Sequence, residues 1–320
     1  MYYIGIDLGG TNIAVGVVDT KGALLAKKSV PTRAERTEGE VLDDIALAVT
    51  SLVCEAGLSM EQIVSVGIGT PGSVDPDLGI VYSTCNLPFD STPIAKLLEE
   101  RLHKPILVEN DANCAALGEA KAGAARGMKN VAMITLGTGV GGGIVIDGRL
   151  YGGFNHFGGE FGHMIIEAGG ELCPCGQRGC LETYCSATAL ARDAKREAEK
   201  HPDSLLHACA AKEGKFSGRT AFDAARMGDV HAQSVVDRFI RYLAIGIANS
   251  VHILQPDAVV LGGGVAHEGE NLLAPLRRQV EAIAYSENVP AEKRTRIITA
   301  SLGNDAGIIG AALLNGGNNK

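Results

Sequence analysis

One local pattern occurs twice in this chain, and it restricts the fold more than any other feature. Tyr2 to Asp7 reads as a strand, passes through Leu8-Gly9-Gly10, and continues into a second apolar run, Ile13 to Asp19. At an offset of 128 residues, Val131 to Leu136 leads through Gly137-Thr138-Gly139 into Ile144-Val145-Ile146-Asp147. The offset carries Leu8-Gly9 onto Leu136-Gly137 and Val17-Val18-Asp19 onto Val145-Ile146-Asp147 without a gap. A strand, a glycine-rich hairpin, a strand and an Asp turn, written twice, predict an internally duplicated domain.

The segments between the copies fill in a mixed α/β pattern. A third strand is expected at Ala23 to Val30, a helix at Val41 to Leu58, a strand at Ile63 to Ile68, and a helix at about Pro93 to Leu102. The strand Ile106 to Val108 and an Ala-rich helix from Ala112 to about Ala125 complete the first half. In the second half, helices are expected at 187–200, 221–227 and 232–253. They lead to the strand Ala258-Val-Val-Leu261, a helix at about 270–285, a strand Arg296 to Ala300 and a small-residue helix from Gly307 to Leu314. No linker rich in Pro, Ser or charge separates the halves, which predicts two domains sharing a cleft and a broad hinge.

Composition narrows the function classes. The 320 residues carry a net charge of −8, which argues against a surface built to neutralise nucleic-acid phosphates. Aromatic residues are 4% and Trp is absent, so a base-stacking platform is not expected either. No run reaches the roughly 18 apolar residues of a membrane span, and the N-terminus shows no secretion signal. The eight cysteines are therefore expected in a reducing cytoplasm, as thiols or metal ligands. The glycines cluster beside apolar runs, at 9–10, 137–143, 152–153, 158–159 and 262–264, as they do where backbone turns tightly against a ligand.

Two glycine hairpins can offer backbone N–H groups to an anion, and Asp7 with Thr11 adds a carboxylate and a hydroxyl suited to hydrated Mg²⁺ and phosphate oxygens. An ordinary hairpin, with glycines that only relieve crowding, is the alternative. The chain has no GxxxxGK[ST] motif, and neither glycine cluster has the spacing of a dinucleotide loop. Glu109-Asn-Asp-Ala-Asn113 stands where a strand gives way to a helix. Asp111 there suits a general base that takes a proton from an attacking hydroxyl, and Asn110 can hydrogen-bond neighbouring hydroxyls. Either residue could instead simply cap the helix.

The sharpest local signal is Glu160-Phe-Gly-His163 followed by Cys173-Pro-Cys175-Gly-Gln-Arg-Gly-Cys180-Leu-Glu182. One His and three Cys, His163, Cys173, Cys175 and Cys180, make the N/S₃ donor set of a closed structural zinc site. A redox or disulfide pair is the rival, although Cys173 and Cys175 are spaced CxC rather than CxxC. Cys185 is a spare candidate ligand, and Cys54, Cys85, Cys114 and Cys209 are expected to be small buried hydrophobes.

In these residues, in this order and over essentially the whole length, the chain resembles the ROK family of sugar kinases and repressors. The resemblance implies an actin-like, ribonuclease H-like sugar kinase fold. Its smaller α/β domain would hold residues 1–115 and about 301–320, and its larger one residues 116–300. It also implies a set of roles. Asp111 becomes the base for a sugar 6-hydroxyl, while Gly72, Asn86, Asn110, Glu160, His163 and Glu182 become sugar contacts. Asp7, Gly9, Gly10, Thr11, Asn12, Gly137, Thr138 and Gly139 line the phosphates, and Gly262, Gly263 and Gly264 lie near the nucleotide. ATP with Mg²⁺ is the implied donor, since no basic groove suggests polyphosphate, and the family suggests a homodimer or tetramer.

The stretch Asn110-Asp-Ala-Asn113, followed by Ala115-Ala-Leu-Gly-Glu119, is similar to the family's glucokinases. N-acylmannosamine kinase, fructokinase, allose kinase and a broad hexokinase are the alternatives. A sugar-sensing repressor is the reading from a different class, disfavoured because the first strand starts at Tyr2.

Overall fold

The computed structural model describes residues 1–84, 86–285 and 289–317. The chain forms two compact units. One comprises Met1–Met133, Gly143–Gly159 and Ser301–Lys320, and the other Ile134–Gly142 with Glu160–Ala300.

In the first unit, β1 (Tyr2–Leu8), β2 (Asn12–Asp19) and β3 (Leu24–Pro31) form an antiparallel meander. Helix α1 (Glu38–Glu55) begins at a Thr37/Glu40 capping box and buries Val41, Leu42, Ile45, Val49 and Leu52. Strand β4 (Ile63–Thr70) then returns parallel to β1. Three short strands, β5 (Ser73–Asp75), β6 (Ile80–Ser83) and β7 (Asp90–Thr92), make a small separate sheet before α2 (Ile94–Leu102). Strand β8 (Ile106–Asn110) runs parallel to β4 and passes directly into α3 (Asp111–Lys121). The main sheet has the order β3-β2-β1-β4-β8.

The later sequence supplies β9 (Val131–Leu136), β10 (Val140–Ile146) and β11 (Arg149–Leu150), then α4 (Glu182–Cys185), α5 (Ala187–Lys200), α6 (Leu206–Glu213), α7 (Thr220–Arg226) and α8 (Val230–Leu254). It ends with β12 (Ala258–Gly262), α9 (Glu270–Ile283), β13 (Arg296–Thr299) and α10 (Ala306–Ala312). The second five-stranded sheet has the order β11-β10-β9-β12-β13 and repeats the succession of the first, an antiparallel hairpin followed by strands reached through helices. The duplication read from the two hairpins is thus carried by whole sheets.

Helix α10 lies on the first sheet at a distance only glycine permits. A Cβ at Gly5 would collide with the Ile308 carbonyl, and one at Gly67 with the Ala311 carbonyl. The same closeness holds between α3 and α10, where Gly118 faces Ala306 and Gly310 faces Cys114. Glu119, fully buried, fixes this junction by accepting backbone N–H bonds from Ala124 (2.7 Å), Ser301 (2.9 Å) and Leu302 (2.8 Å).

These contacts explain two differences from expectation. Helix α3 stops at Lys121 rather than near Ala125, because Ala124 N–H turns to the Glu119 carboxylate. The first unit extends past residue 115, because α3 packs on α10 within it. Cys114 and Cys209 are buried as expected, but Cys54 is exposed, since it sits one position beyond the apolar face that ends at Leu52 and Val53. Cys85 lies outside the described residues.

Candidate functional site

Strand register gathers the first group of residues. Asp7 on β1 is level with Gly69 on β4, which is level with Glu109 on β8, and Thr70 is level with Asn110. Asp7, the Thr70-Pro-Gly72 turn and Asn110-Asp111 therefore stand together at the carboxyl ends of three adjacent parallel strands, the edge where open α/β sheets bind ligands.

Three carboxylates share this edge. Burial raises Asp7 to about 6, with the negative charge of Asp111 adding to the effect and Lys27 opposing it. Burial also raises Asp111 and Glu109, against the hydrogen bonds that each accepts. Beneath them Cys114 is fully buried and held as a neutral thiol. Asn110 caps α3, its Oδ1 accepting from the N–H groups of Ala112 (2.9 Å) and Asn113 (3.2 Å). That settles the capping question for its oxygen and leaves its amide nitrogen for other work. Asp111 Oδ1 accepts from Ala112 N–H at 2.8 Å.

Glu109 was not singled out by sequence. Its Oε1 accepts from Asn110 N–H (2.9 Å) and Asn113 Nδ2 (3.0 Å), bracing the strand-to-helix turn. Asn113 itself is buried, with its Oδ1 unpaired among the described residues. The glutamate at i and the asparagine at i+4 were the available signal.

The hairpin between β1 and β2 is held by the fully buried Thr32, whose hydroxyl donates to the Gly9 carbonyl (2.6 Å) and whose N–H donates to that of Thr11 (2.9 Å). Thr11 and Asn12 are exposed at its tip. Gly10 lies against Asn86, with room for no side chain between them. Gly72 has φ +97° and backs onto the Ser83 carbonyl, so two constraints require glycine there.

The second unit gathers the rest. Gly137 N–H donates to the Gly139 carbonyl (3.0 Å), the Gly137 carbonyl accepts from Ala187 N–H (2.8 Å), and the Thr138 carbonyl accepts from the Thr188 hydroxyl (2.8 Å). At the end of the neighbouring β12, Gly263 (φ +83°) presses against Leu136, while Gly264 faces open space. Glu182 Oε2 lies against Gly139 and accepts from Val140 N–H at 2.8 Å. Gly162 packs on the Val140 carbonyl, which sets the exposed Glu160 and His163 beside the same hairpin.

The donor atoms of His163, Cys173, Cys175 and Cys180 lie within 4.8 Å of one another. Cys175 and Cys180 sulfurs are 3.7 Å apart, and Cys173 sulfur is 3.8 Å from His163 Nδ1. Tetrahedral thiolates at about 2.3 Å from zinc stand about 3.8 Å apart, whereas disulfide sulfurs are about 2.05 Å apart. The donor set fits zinc. Without a cation, burial pushes Cys180 up to about 12. Cys185 points elsewhere, toward the Phe239 carbonyl at 3.8 Å.

Known proteins resemble the chain over nearly its whole length. The model described as "ROK family" matches residues 3–317. The chain is 40% identical over 314 residues to a glucokinase of Halalkalibacterium halodurans, covering 98% of this chain and 94% of that protein. It is 40% identical over 310 residues to a glucokinase of Thermotoga maritima, covering 97% and 95%. Among solved structures, a ROK family glucokinase from Streptomyces griseus, in complex with glucose and AMPPNP, matches with a TM-score of 0.80 at 36% identity, covering 98% of this chain and 99% of that one. Among the described residues, no helix is long and apolar enough to cross a membrane.

Proposed function

The chain belongs to the ROK family, and from that membership we infer that it is a glucokinase, which transfers a phosphoryl group from ATP to the 6-hydroxyl of glucose. The observation that carries the mechanism is the placement of Asp111 at the first residue of α3, on the ligand-binding edge of the sheet.

Asp111 acts as the general base. One of its oxygens is held by Ala112 N–H, which fixes the carboxylate and leaves Oδ2 for the sugar hydroxyl. Its raised pKa, caused by burial, makes it a better proton acceptor than a solvated carboxylate. Asn110 orients neighbouring hydroxyls through its amide nitrogen, and Asn86 and the Gly72 turn complete the first unit's sugar contacts. The close packing of Gly10 on Asn86 ties this sugar contact to the phosphate hairpin.

Asp7, with Gly9, Gly10, Thr11 and Asn12, serves the phosphate end. Asp7, raised to about 6 chiefly by burial and further by the charge of Asp111, suits a divalent cation, and Mg²⁺ bound with ATP would neutralise the charge on the transferring phosphoryl group. In the second unit the Gly137-Thr138-Gly139 hairpin and Gly262 to Gly264 serve the nucleotide.

Zinc held by His163 Nδ1 and the three cysteines would shape the loop and fix the histidine tautomer, so that Nε2–H donates to a sugar oxygen. Glu160 and the free oxygen of Glu182 act beside it. The reading carries a reducing, cytoplasmic setting with it, since the cysteine sulfurs must stay as thiolates.

A coupled ADP-release assay across glucose, mannose, N-acetylmannosamine and fructose tests the substrate. Glucose is expected to give the highest kcat/KM, and a preference for any of the other three overturns the assignment.

A further inference from the structure

A second cluster of metal-binding side chains lies in the second unit and plays no part in the reaction above. Glu197 is in the last turn of α5, His201 caps that helix, and His231 is the second residue of α8. Glu197 Oε1 is 3.2 Å from His201 Nε2 and 4.0 Å from His231 Nδ1. The two imidazoles stack with centroids 3.5 Å apart and planes 14° apart. All three donor atoms lie within 4.8 Å of one another.

We propose that Glu197, His201 and His231 form a second metal site, open to solvent on one side and selective for divalent transition ions of the Zn²⁺ and Ni²⁺ class. Two imidazole nitrogens and one carboxylate oxygen are the donors such ions prefer, and three protein ligands leave coordination positions for water. Donors at about 2.1 Å from a tetrahedral ion stand about 3.4 Å apart, and the observed 3.2 and 4.0 Å bracket that spacing. The nearly parallel rings must rotate out of their stack for both lone pairs to converge on one ion.

Electrostatics points the same way. The two stacked imidazoles both face Oε1 of the one carboxylate. A bound cation satisfies both rings and the carboxylate at once. The competing contact, Lys200 Nζ at 3.1 Å, uses the other oxygen, Oε2, and leaves Oε1 to the histidines.

The scaffold is preorganised. Asp229 Oδ1 accepts from the N–H groups of His231 (2.8 Å) and Ala232 (2.9 Å), which fixes the first turn of α8. Glu197 and His201 are one helical turn apart, and His201 N–H donates to the Glu197 carbonyl at 3.2 Å. The ion would pin the end of α5 to the start of α8 and close off the excursion through α6 and α7.

The test is metal binding by titration calorimetry. The full-length protein, with its cysteine cluster already saturated with Zn²⁺, is titrated with ZnCl₂ and separately with NiCl₂. One further equivalent is expected on the wild type. Its affinity should fall by at least about tenfold in both His231→Ala and Glu197→Gln, each keeping the wild-type circular dichroism spectrum. Because all three side chains are only half-buried, neither change removes core packing. No further equivalent on the wild type overturns the site, as does a further equivalent whose affinity survives both substitutions.

Discussion

Glu182 accepts a hydrogen bond from the backbone N–H of Val140 at 2.8 Å. The bond joins α4, two residues beyond the zinc-ligand candidate Cys180, to the strand that leaves the second glycine hairpin. Glu182 was expected to be a sugar contact, and one of its oxygens is instead committed to the hairpin. The cysteine block and the second glycine hairpin therefore form one mechanical piece.

Glu182→Gln and Glu182→Ala should separate the two uses of this side chain. Gln keeps an acceptor for Val140 N–H, so its melting temperature should stay close to wild type while the KM for glucose rises. Ala removes the acceptor of a charged hydrogen bond worth about 1.5–3 kcal/mol and should lower the melting temperature and raise the KM for ATP as well. Identical kinetics for the two variants would refute the dual role.

Asp7 illustrates a site maintained against stability. Its carboxyl titrates at about 6 in the folded protein against an ordinary 3.8, so the folded state holds that proton more tightly than the unfolded chain. The stability gained from the protonated form is full below about pH 4 and is lost as pH rises through about 6. Asp7→Asn should therefore stabilise the fold at pH 7.5 by on the order of 1–3 kcal/mol, seen as a higher melting temperature, and leave it unchanged near pH 4. It should also abolish turnover. A variant no more stable than wild type at pH 7.5 would contradict the assignment.

Removal of zinc should act on the sugar before the nucleotide. After treatment with a strong chelator, the KM for glucose is expected to rise about 10–100-fold, with a smaller change in the KM for ATP, and zinc should restore it. Because the cysteine thiols must lose their protons to bind the ion, reloading should be slower and weaker below pH 6. A zinc-free preparation with a normal glucose KM would break the link between His163 and the sugar.

Much of this was legible in the sequence. The pairing of Leu8-Gly9 with Leu136-Gly137 anticipated two sheets of matching order, because a hairpin's glycines and apolar alternation are local. The His163 and Cys173–Cys180 spacing anticipated the donor cluster for the same reason. The three short strands between Ser73 and Thr92 were missed, since each is too short to show alternation. Gly5 and Gly67 carried no local signal, because what forbids a side chain there is a helix roughly 240 to 300 residues away in sequence. His201 and His231 were missed likewise, as only the packing of α5 and α8 brings them together.

The glycine-lined bed of α10 gives a stability prediction. In Gly67→Ala the new methyl meets the Ala311 carbonyl, which is backbone and cannot rotate away. The cost should be about 2–4 kcal/mol in chemical denaturation, with α10 displaced. Gly39→Ala, where nothing lies within 4 Å, should be neutral or slightly stabilising. Equal stability of the two variants would disprove the tight contact.

The central claim is that Asp111 takes the proton from the glucose 6-hydroxyl as phosphate is transferred. Steady-state turnover of Asp111→Asn with saturating glucose, ATP and Mg²⁺ tests it directly, alongside glucose binding measured by calorimetry. The account predicts that kcat falls about 10²–10⁴-fold while glucose still binds. Turnover within a few-fold of wild type would contradict it.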